Sequence, residues 1–498
     1  MIEKYGEFLY GENLYGGKEL YEGVNYWYLQ VAWDGNNYEN ESPYIIPDSM
    51  GWERGRETKL NSSSNGFVEM QPGKFVVKLR NDTGRYDSRN TLSDLYPNVS
   101  PGKKIKLDYQ LGYSGDRVTT FYGDITNIEP SSDNGIEIVT VTAYDRLAKL
   151  QDAEANIQLE ESIDLHDAIQ AILDDVNWTD GSSIEESFDT IDYWWVDQQN
   201  AASAIYELSF SELGEFFIAG DGTATFYSRH HSSVTPIEFT GGDIKSIDTR
   251  QPWEVIKDIT RLIIHPRVLR ATSTIWTLQG TLYVPAGESK SIWATYTYDN
   301  RFVPAINVLC QQTTDYTANT LEGGGGSDIT SDFTVSLTSF GKTAKLVVSN
   351  ANASGGYLTV KVRGDAIDAP DPVTVESAGG TGSAVFTAEM MWQQDVNIAL
   401  DLVLFLGEQL AQDSFYPIIT IETDNETQLG LELFDTIALT VDDRNIDETF
   451  IIGKIRHDVF GGGGGIVLTT LWLEPPISQL ENYWSFPTLM GETSYFSY

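Results

Sequence analysis

The chain has 498 residues, 41% of them hydrophobic, too many for one ordinary domain and apolar enough for three to five separately cored units. Its 73 acidic against 32 basic residues leave a net charge of −41, which repels phosphate backbones and anionic lipids and argues against nucleic-acid-binding and membrane-surface roles. The hydrophobic content excludes wholesale disorder, and the 26 Tyr, 21 Phe and 12 Trp, with abundant Thr and Val, favour strands over helices.

Cys310 is the one cysteine, so no intrachain disulfide and no Cys-based metal site are expected, and its apolar neighbours Ile306, Val308 and Leu309 read as those of a buried thiol. No apolar stretch follows Lys4, which predicts no secretory signal and synthesis in a cytoplasm. The most apolar run, 398–406, contains Asp401 and is too short to span a bilayer.

Residues 1–50 form a Tyr- and Gly-rich arm (Tyr5, Tyr10, Tyr15, Tyr21) with one alternating strand from Tyr26 to Trp33, ended by the turn residues Asp34, Gly35 and Asn36. Residues 51–150 read as β throughout, with strands near 75–79, 103–109, 119–128 and 136–143 and a turn at Asn81–Gly84. The 151–235 region is α+β. A helix opens at Asp164 with Leu165, Ile169, Ile172, Leu173 and Val176 at helical spacing, and a second runs from Asn200 to Leu213 and stops at Gly214. A hairpin from Glu215 to Tyr227 then turns at Gly220–Gly222. Strands resume at 236–283, and the Thr- and Ser-rich stretch 284–368 reads as an inserted β-sandwich left through Pro370 and Pro372. A helix near 393–411, a last β region to 475 and an aromatic tail, 476–498, complete the chain.

The last β region echoes the first. Ile105 and Leu107 lead to Phe121, Gly123 and Ile125, then across a polar loop to the strand 136–145. Ile437 and Leu439 lead to Phe450, Gly453 and Ile455, then across a glycine loop to 466–474. Gly123 and Ile136 are thirteen residues apart, as are Gly453 and Ile466, and a mid-strand glycine predicts a bulge or a sharp corner. Two copies of a small barrel per chain allow three chains to present six similar positions around a ring.

The stretch from Trp52 through Arg54 and Arg56, then Gly73–Leu79, Asn81–Asp87, Leu95–Gly102 and Phe121–Thr126, resembles the opening barrel of the minor tail proteins, or tail hub proteins, of long-tailed bacteriophages. The hairpin around Asp221 and the run from Ile455 to Pro475 are similar to later parts of that family. The resemblance covers about 50–283 and 390–475. It implies a mainly β, multidomain fold: a first hub barrel at 51–150, an α+β domain at 151–235, a second barrel from 236–283 plus 390–475, and the sandwich inserted at 284–368. It further implies a homotrimer at the virion tail tip, with tail-tube or distal-tail protein, tape measure protein and tip or fibre proteins as partners. DNA passes through its lumen without specific binding. The family supplies no catalytic residue and no cofactor to carry over.

The chemistry of the residues points the same way. His166, His230, His231, His265 and His457 stand in no metalloprotease spacing, and the adjacent pair His230–His231 points to opposite faces of a strand, so no metal is expected. Asp82, Asp87 and Asp94 lack a calcium-loop spacing and fit a turn. Glu160–Glu161, Asp174–Asp175 and Asp442–Asp443 are adjacent acids of the kind that 73 carboxylates produce on a solvated face. The glycine runs 323–326 and 461–465 lack a following Lys-Ser/Thr, so no phosphate loop is expected. An enzyme is therefore not expected. Two other functions stay open: a carbohydrate-binding tail adhesin gripping sugar with Trp293, Tyr296, Tyr298 and Tyr316 of the sandwich, and a tail-associated cell-wall hydrolase.

Overall fold

The computed structural model describes residues 25–56, 60–61, 66–67, 69–111, 116–133, 135–229, 231, 236–250, 259–377, 385–410, 418–424, 429–460 and 466–474. The first half of the N-terminal arm, His230, the 461–465 glycine run and the aromatic tail lie outside the described residues.

Alternation in Lys104–Leu111, Arg117–Asp133 and Ile136–Asp145 puts Ile105, Leu107, Phe121, Ile125, Val139 and Val141 on one face, and all six are buried. These strands form a meander that continues through Gln71–Arg80 to Met50–Gly55, with Asn25–Val31 on its other flank. Thr436–Val441, Ile446–Phe460 and Ile466–Glu474 form a second meander, continuing through Ile418–Thr423 to Ser246–Arg250. The internal repeat is thus a repeat of strand order. The equal glycine spacing is not part of it: Ile125 faces Ala143 and Ile455 faces Leu471, separations of eighteen and sixteen residues. Gly453 sits at a bulge, as its mid-strand position predicts. Gly123 pairs regularly, and there a Cβ would meet the Tyr144 carbonyl oxygen at 2.0 Å.

Met50–Gly55 pairs antiparallel with Ile446–Phe460, Trp52 opposite His457, and so fuses both meanders into one 13-stranded sheet. The two barrel-type units are its halves, and among the described residues neither half closes on itself by strand pairing.

Three helices cover the middle of the chain: α1 (Leu147–Asp152), α2 (Leu165–Asp175) and α3 (Ala201–Ser211). Leu165, Ile169, Ile172 and Leu173 of α2 are fully buried, as their spacing requires. The Asn200 side chain caps α3 by accepting from the Ser203 amide at 3.0 Å. The helices pack on the antiparallel pair Glu154–Asp164/Thr190–Asn200 and share one core with the second sheet half, including Ile421, Ile437, Leu439 and Phe450.

The strands at 259–284 depart from the expected boundaries. Ile259–Ile264 lies between Val373–Glu376 and Val385–Met390 in a separate sheet, covered by α4 (Val396–Leu410). Val268–Leu269, Ser273–Thr277 and Leu282–Val284 pair with Gly356–Asp368 and belong to the sandwich, which therefore begins earlier than residue 284. A half-buried strand alternates in the same way whichever sheet it joins, so its partner is invisible in the pattern. Facing this layer is the sheet Ser289–Thr295/Thr343–Asn350/Phe333–Phe340. No helix among the described residues is long and apolar enough to cross a membrane.

Candidate functional site

The junction between the sheet halves concentrates buried charge. Along Met50–Gly55 the inward positions are Met50, Trp52 and Arg54, and Arg56 follows in the same phase. The Trp52 ring lies 4.6 Å from His457, whose Nδ1 is 2.9 Å from the Thr469 hydroxyl. Burial, then the Arg54 charge, pushes the His457 pKa down to about 3, so the ring is neutral at ordinary pH.

Arg54 is 5% exposed and donates from Nη1 to Glu432 Oε1 at 2.5 Å and to the Ile218 carbonyl at 3.3 Å. The other oxygen of Glu432 accepts from the Gly220 amide at 2.8 Å. One ion pair thus clasps three segments: a strand of the first half, a loop of the second, and the tip of the α+β hairpin. Arg56 makes a two-pronged contact with Glu215, 2.6 Å on each arm, and lies 3.7 Å from Glu474. Burial alone would lower the Arg56 pKa, but the charges of Glu215 and Glu474 outweigh it and raise it. Asp145 accepts from the Gly73 and Leu147 amides at 2.7 and 2.9 Å, while burial pushes its carboxyl up to about 7. Gly55 closes the junction at φ +97°, where a Cβ would stand 2.3 Å from the Gly453 carbonyl oxygen.

Arg54 is paired with Glu432 and Arg56 with Glu215, while the Arg56 Nε has no hydrogen-bond partner among the described residues. The junction holds segments together, and its hydroxyl–imidazole contact, Thr469 with His457, is buried. Its outer face forms an open groove lined by Gly51, Glu53, Lys74, Arg456, Asp458 and Phe460.

Elsewhere the predicted residues are scattered. Glu160, Glu161, Asp174, Asp175, Asp442 and Asp443 are exposed, as a solvated face requires. His231 stacks on Tyr227 with ring centres 3.5 Å apart, and His265 meets Glu389 at 2.8 Å. Asp82–Gly84 is a turn, with the Gly84 amide donating to the Asn81 carbonyl, and Asp94 pairs with Arg85. The structure brings Asp164, His166 and Asp167 together, a grouping the sequence did not single out. Asp164 already accepts from Thr190 at 2.7 Å, and His166 Nδ1 lies 3.0 Å from the Ser187 hydroxyl.

Of the four aromatics expected to grip sugar, Tyr296 and Tyr316 are core residues at 0% and 6% exposure, bonded to Ser339 and to the Phe333 carbonyl, so neither can meet a surface ligand. Tyr298 is half-buried, and Trp293 is 59% exposed and packs against Phe340, ring centres 5.7 Å apart. The buried ion pairs are what sequence reasoning missed. The available signal was Arg54 and Arg56 in phase with Trp52, which puts two guanidinium groups on an inward face and demands acidic partners.

No family model matches the chain, and no curated protein matches it. Among solved structures it is similar to the 43 kDa tail protein of prophage MuSo2 from Shewanella oneidensis, with 10% identity and a TM-score of 0.49 over 91% of this chain and 99% of that one. It is also similar to the tail protein of Neisseria meningitidis MC58, at 9% identity and TM-score 0.48 over 91% and 98%. A prophage tail protein from Listeria monocytogenes EGD-e aligns at 11% identity and TM-score 0.42 over 89% and 94%. At these scores the likeness is one of chain course only.

Proposed function

We propose that the chain is a structural, non-catalytic subunit of a bacteriophage tail tip: a hub that trimerises around the tail lumen, joins the tail tube or distal tail protein to tip or fibre proteins, meets the tape measure protein, and lets DNA pass. The observation that carries this reading is the duplicated sheet. One chain supplies two wall segments of the same strand order, already joined side by side through Met50–Gly55, so three chains present six. The family resemblance of residues 50–283 and 390–475 supports it from the sequence. So does the net charge of −41 per chain, which suits a passage that phosphates must not stick to.

Light scattering of the purified chain with negative-stain microscopy tests the proposal: a hollow particle of three chains is expected. A solid particle, or a ring whose lumen is lined by basic residues, contradicts it.

Trp293 and its Phe340 neighbour favour one alternative, a host-surface carbohydrate-binding role for the sandwich. Glycan-array binding by the full chain that disappears in Trp293→Ala would establish that role, and no binding by the full chain would dismiss it.

A further inference from the structure

The repeat extends to how strand edges are used. Ile446–Phe460 uses one edge twice: its first part takes Thr436–Val441, and its second part takes Met50–Gly55 from the other half. Its counterpart, Arg117–Asp133, takes Lys104–Leu111 along the first part of the same edge. From Asn127 onward that edge has no strand partner among the described residues. At the far end of the sheet, Ser246–Arg250, the counterpart of Met50–Gly55, pairs with Ile418–Thr423 on one side and with no described strand on the other. The chain therefore carries one junction made and both halves of a second junction unmade.

The registers say which residues would meet. Ala143 and Leu471 are equivalent, since they face Ile125 and Ile455. Across their other edges they face Phe75 and Ile421, which in turn face Trp52 and Ile247. Ile247 is thus the counterpart of Trp52. His457 faces Thr469, two residues before Leu471. In the first half a bulge at Thr126 brings Ile128 opposite Val141, two residues before Ala143. Ile128 is thus the counterpart of His457.

We infer that a second copy of this chain completes the sheet: residues 246–248 of one copy pair antiparallel with residues 129–127 of the next, Ile247 opposite Ile128, the edge before Asn127 being already bonded to Gly102, Lys103 and Lys104.

The burial pattern fits. Trp52 and His457 are each 2% exposed because they cover one another, whereas Ile128 and Ile247 are only partly buried, each against the core of its own half. Pro130 has no N–H to offer along this edge, a feature of strand edges protected from indiscriminate pairing. The two edges lie in different halves and complement each other without being the same patch, so the contact is head-to-tail. Repeated identically it closes into a ring in which intrachain and interchain junctions alternate. This inference rests on the ring-forming reading above and adds the surfaces that make the ring.

The test is disulfide trapping in the full chain carrying both Ile128→Cys and Ile247→Cys, oxidised with glutathione disulfide, with microscopy of the untreated protein alongside. Facing Cα atoms in an antiparallel pair are about 5 Å apart, within disulfide reach. Expected is a ladder of covalent multimers on a denaturing gel that ends at the ring's chain number. Mixing chains that carry only one substitution each should stop at two. Ile247→Glu, at a partly exposed position, should leave the circular dichroism spectrum unchanged and shift the mass to one chain. Rings without a ladder would overturn this pairing and leave the hub reading standing. Neither rings nor ladder would overturn the pairing and remove the hub reading's support as well.

Discussion

Truncating Glu432 to alanine tests whether the junction clasp holds three segments together. The change takes the carboxylate from between Arg54 Nη1 and the Gly220 amide, leaving a guanidinium that is 5% exposed with the Ile218 carbonyl as its remaining partner. Breaking a buried pair by removing one member costs about 3–5 kcal/mol. Because 26% of the Glu432 side chain is exposed, water reaches part of the site, and the lower end, about 3 kcal/mol, applies. At 1.4 kcal/mol per factor of ten, that is roughly a hundredfold increase in local opening. The readout is hydrogen exchange of the Arg56 amide, which donates across the junction to the Gly453 carbonyl at 2.9 Å and is not itself bonded to Glu432. The double variant Arg54→Met with Glu432→Leu removes both charges and should exchange more slowly than Glu432→Ala alone. An Arg56 amide in Glu432→Ala that exchanges within threefold of the unmodified chain would refute the reasoning. So would a double variant worse than the single one.

Four further outcomes are expected. His457 stays neutral in the folded chain down to about pH 3, while in the unfolded chain it takes up a proton near 6.5, so its contribution is intact above 6.5 and lost as pH falls towards 3. Thermal unfolding at pH 7.5 and 5 should show the advantage over His457→Gln shrinking by up to about 1.4 kcal/mol per pH unit below 6.5, and a constant gap would contradict this. Asp145 works the other way: its folded pKa is raised to about 7, so its ionisation costs stability as pH rises from about 4 to 7, and Asp145→Asn should remove that slope. Gly55→Ala forces a Cβ to within 2.3 Å of backbone at φ +97° and should cost at least about 2 kcal/mol, seen as a lower melting temperature or lost soluble yield. The Cys310 thiol, pushed by burial up to about 12, should resist a maleimide at pH 8 in the folded chain and react promptly in urea.

Much of the fold was legible in the sequence wherever one local pattern decided the outcome. The alternation of Ile105, Leu107, Phe121 and Ile125 reads directly as an inward face, and Leu165, Ile169, Ile172 and Leu173 read directly as a helix stripe. Long-range pairing was not legible. Nothing local distinguishes Ile259–Ile264, which builds a sheet under α4, from Ser246–Arg250, which joins the large sheet. The sugar-binding expectation failed for Tyr296 and Tyr316 for the same reason, since a strand shows which residues share a face but not which face meets water. The clasp was half legible: two arginines in phase with Trp52 called for acids, but Glu215 lies 159 residues from Arg56 and Glu432 lies 378 from Arg54, and with Glu474 they hide among 73 carboxylates.

Arg250 and Ile418 are opposite one another in adjacent strands. Everything between them, the sandwich and the α4 unit included, leaves and re-enters the wall through a doorway about 5 Å wide. Because the wall itself holds the two ends in place, the entropy of closing so long an excursion rises only as the logarithm of its length. The excursion can therefore be enlarged, trimmed or exchanged at little cost to the sheet beneath it. A lineage of such chains has a site where it can change what it displays while the sheet beneath stays the same.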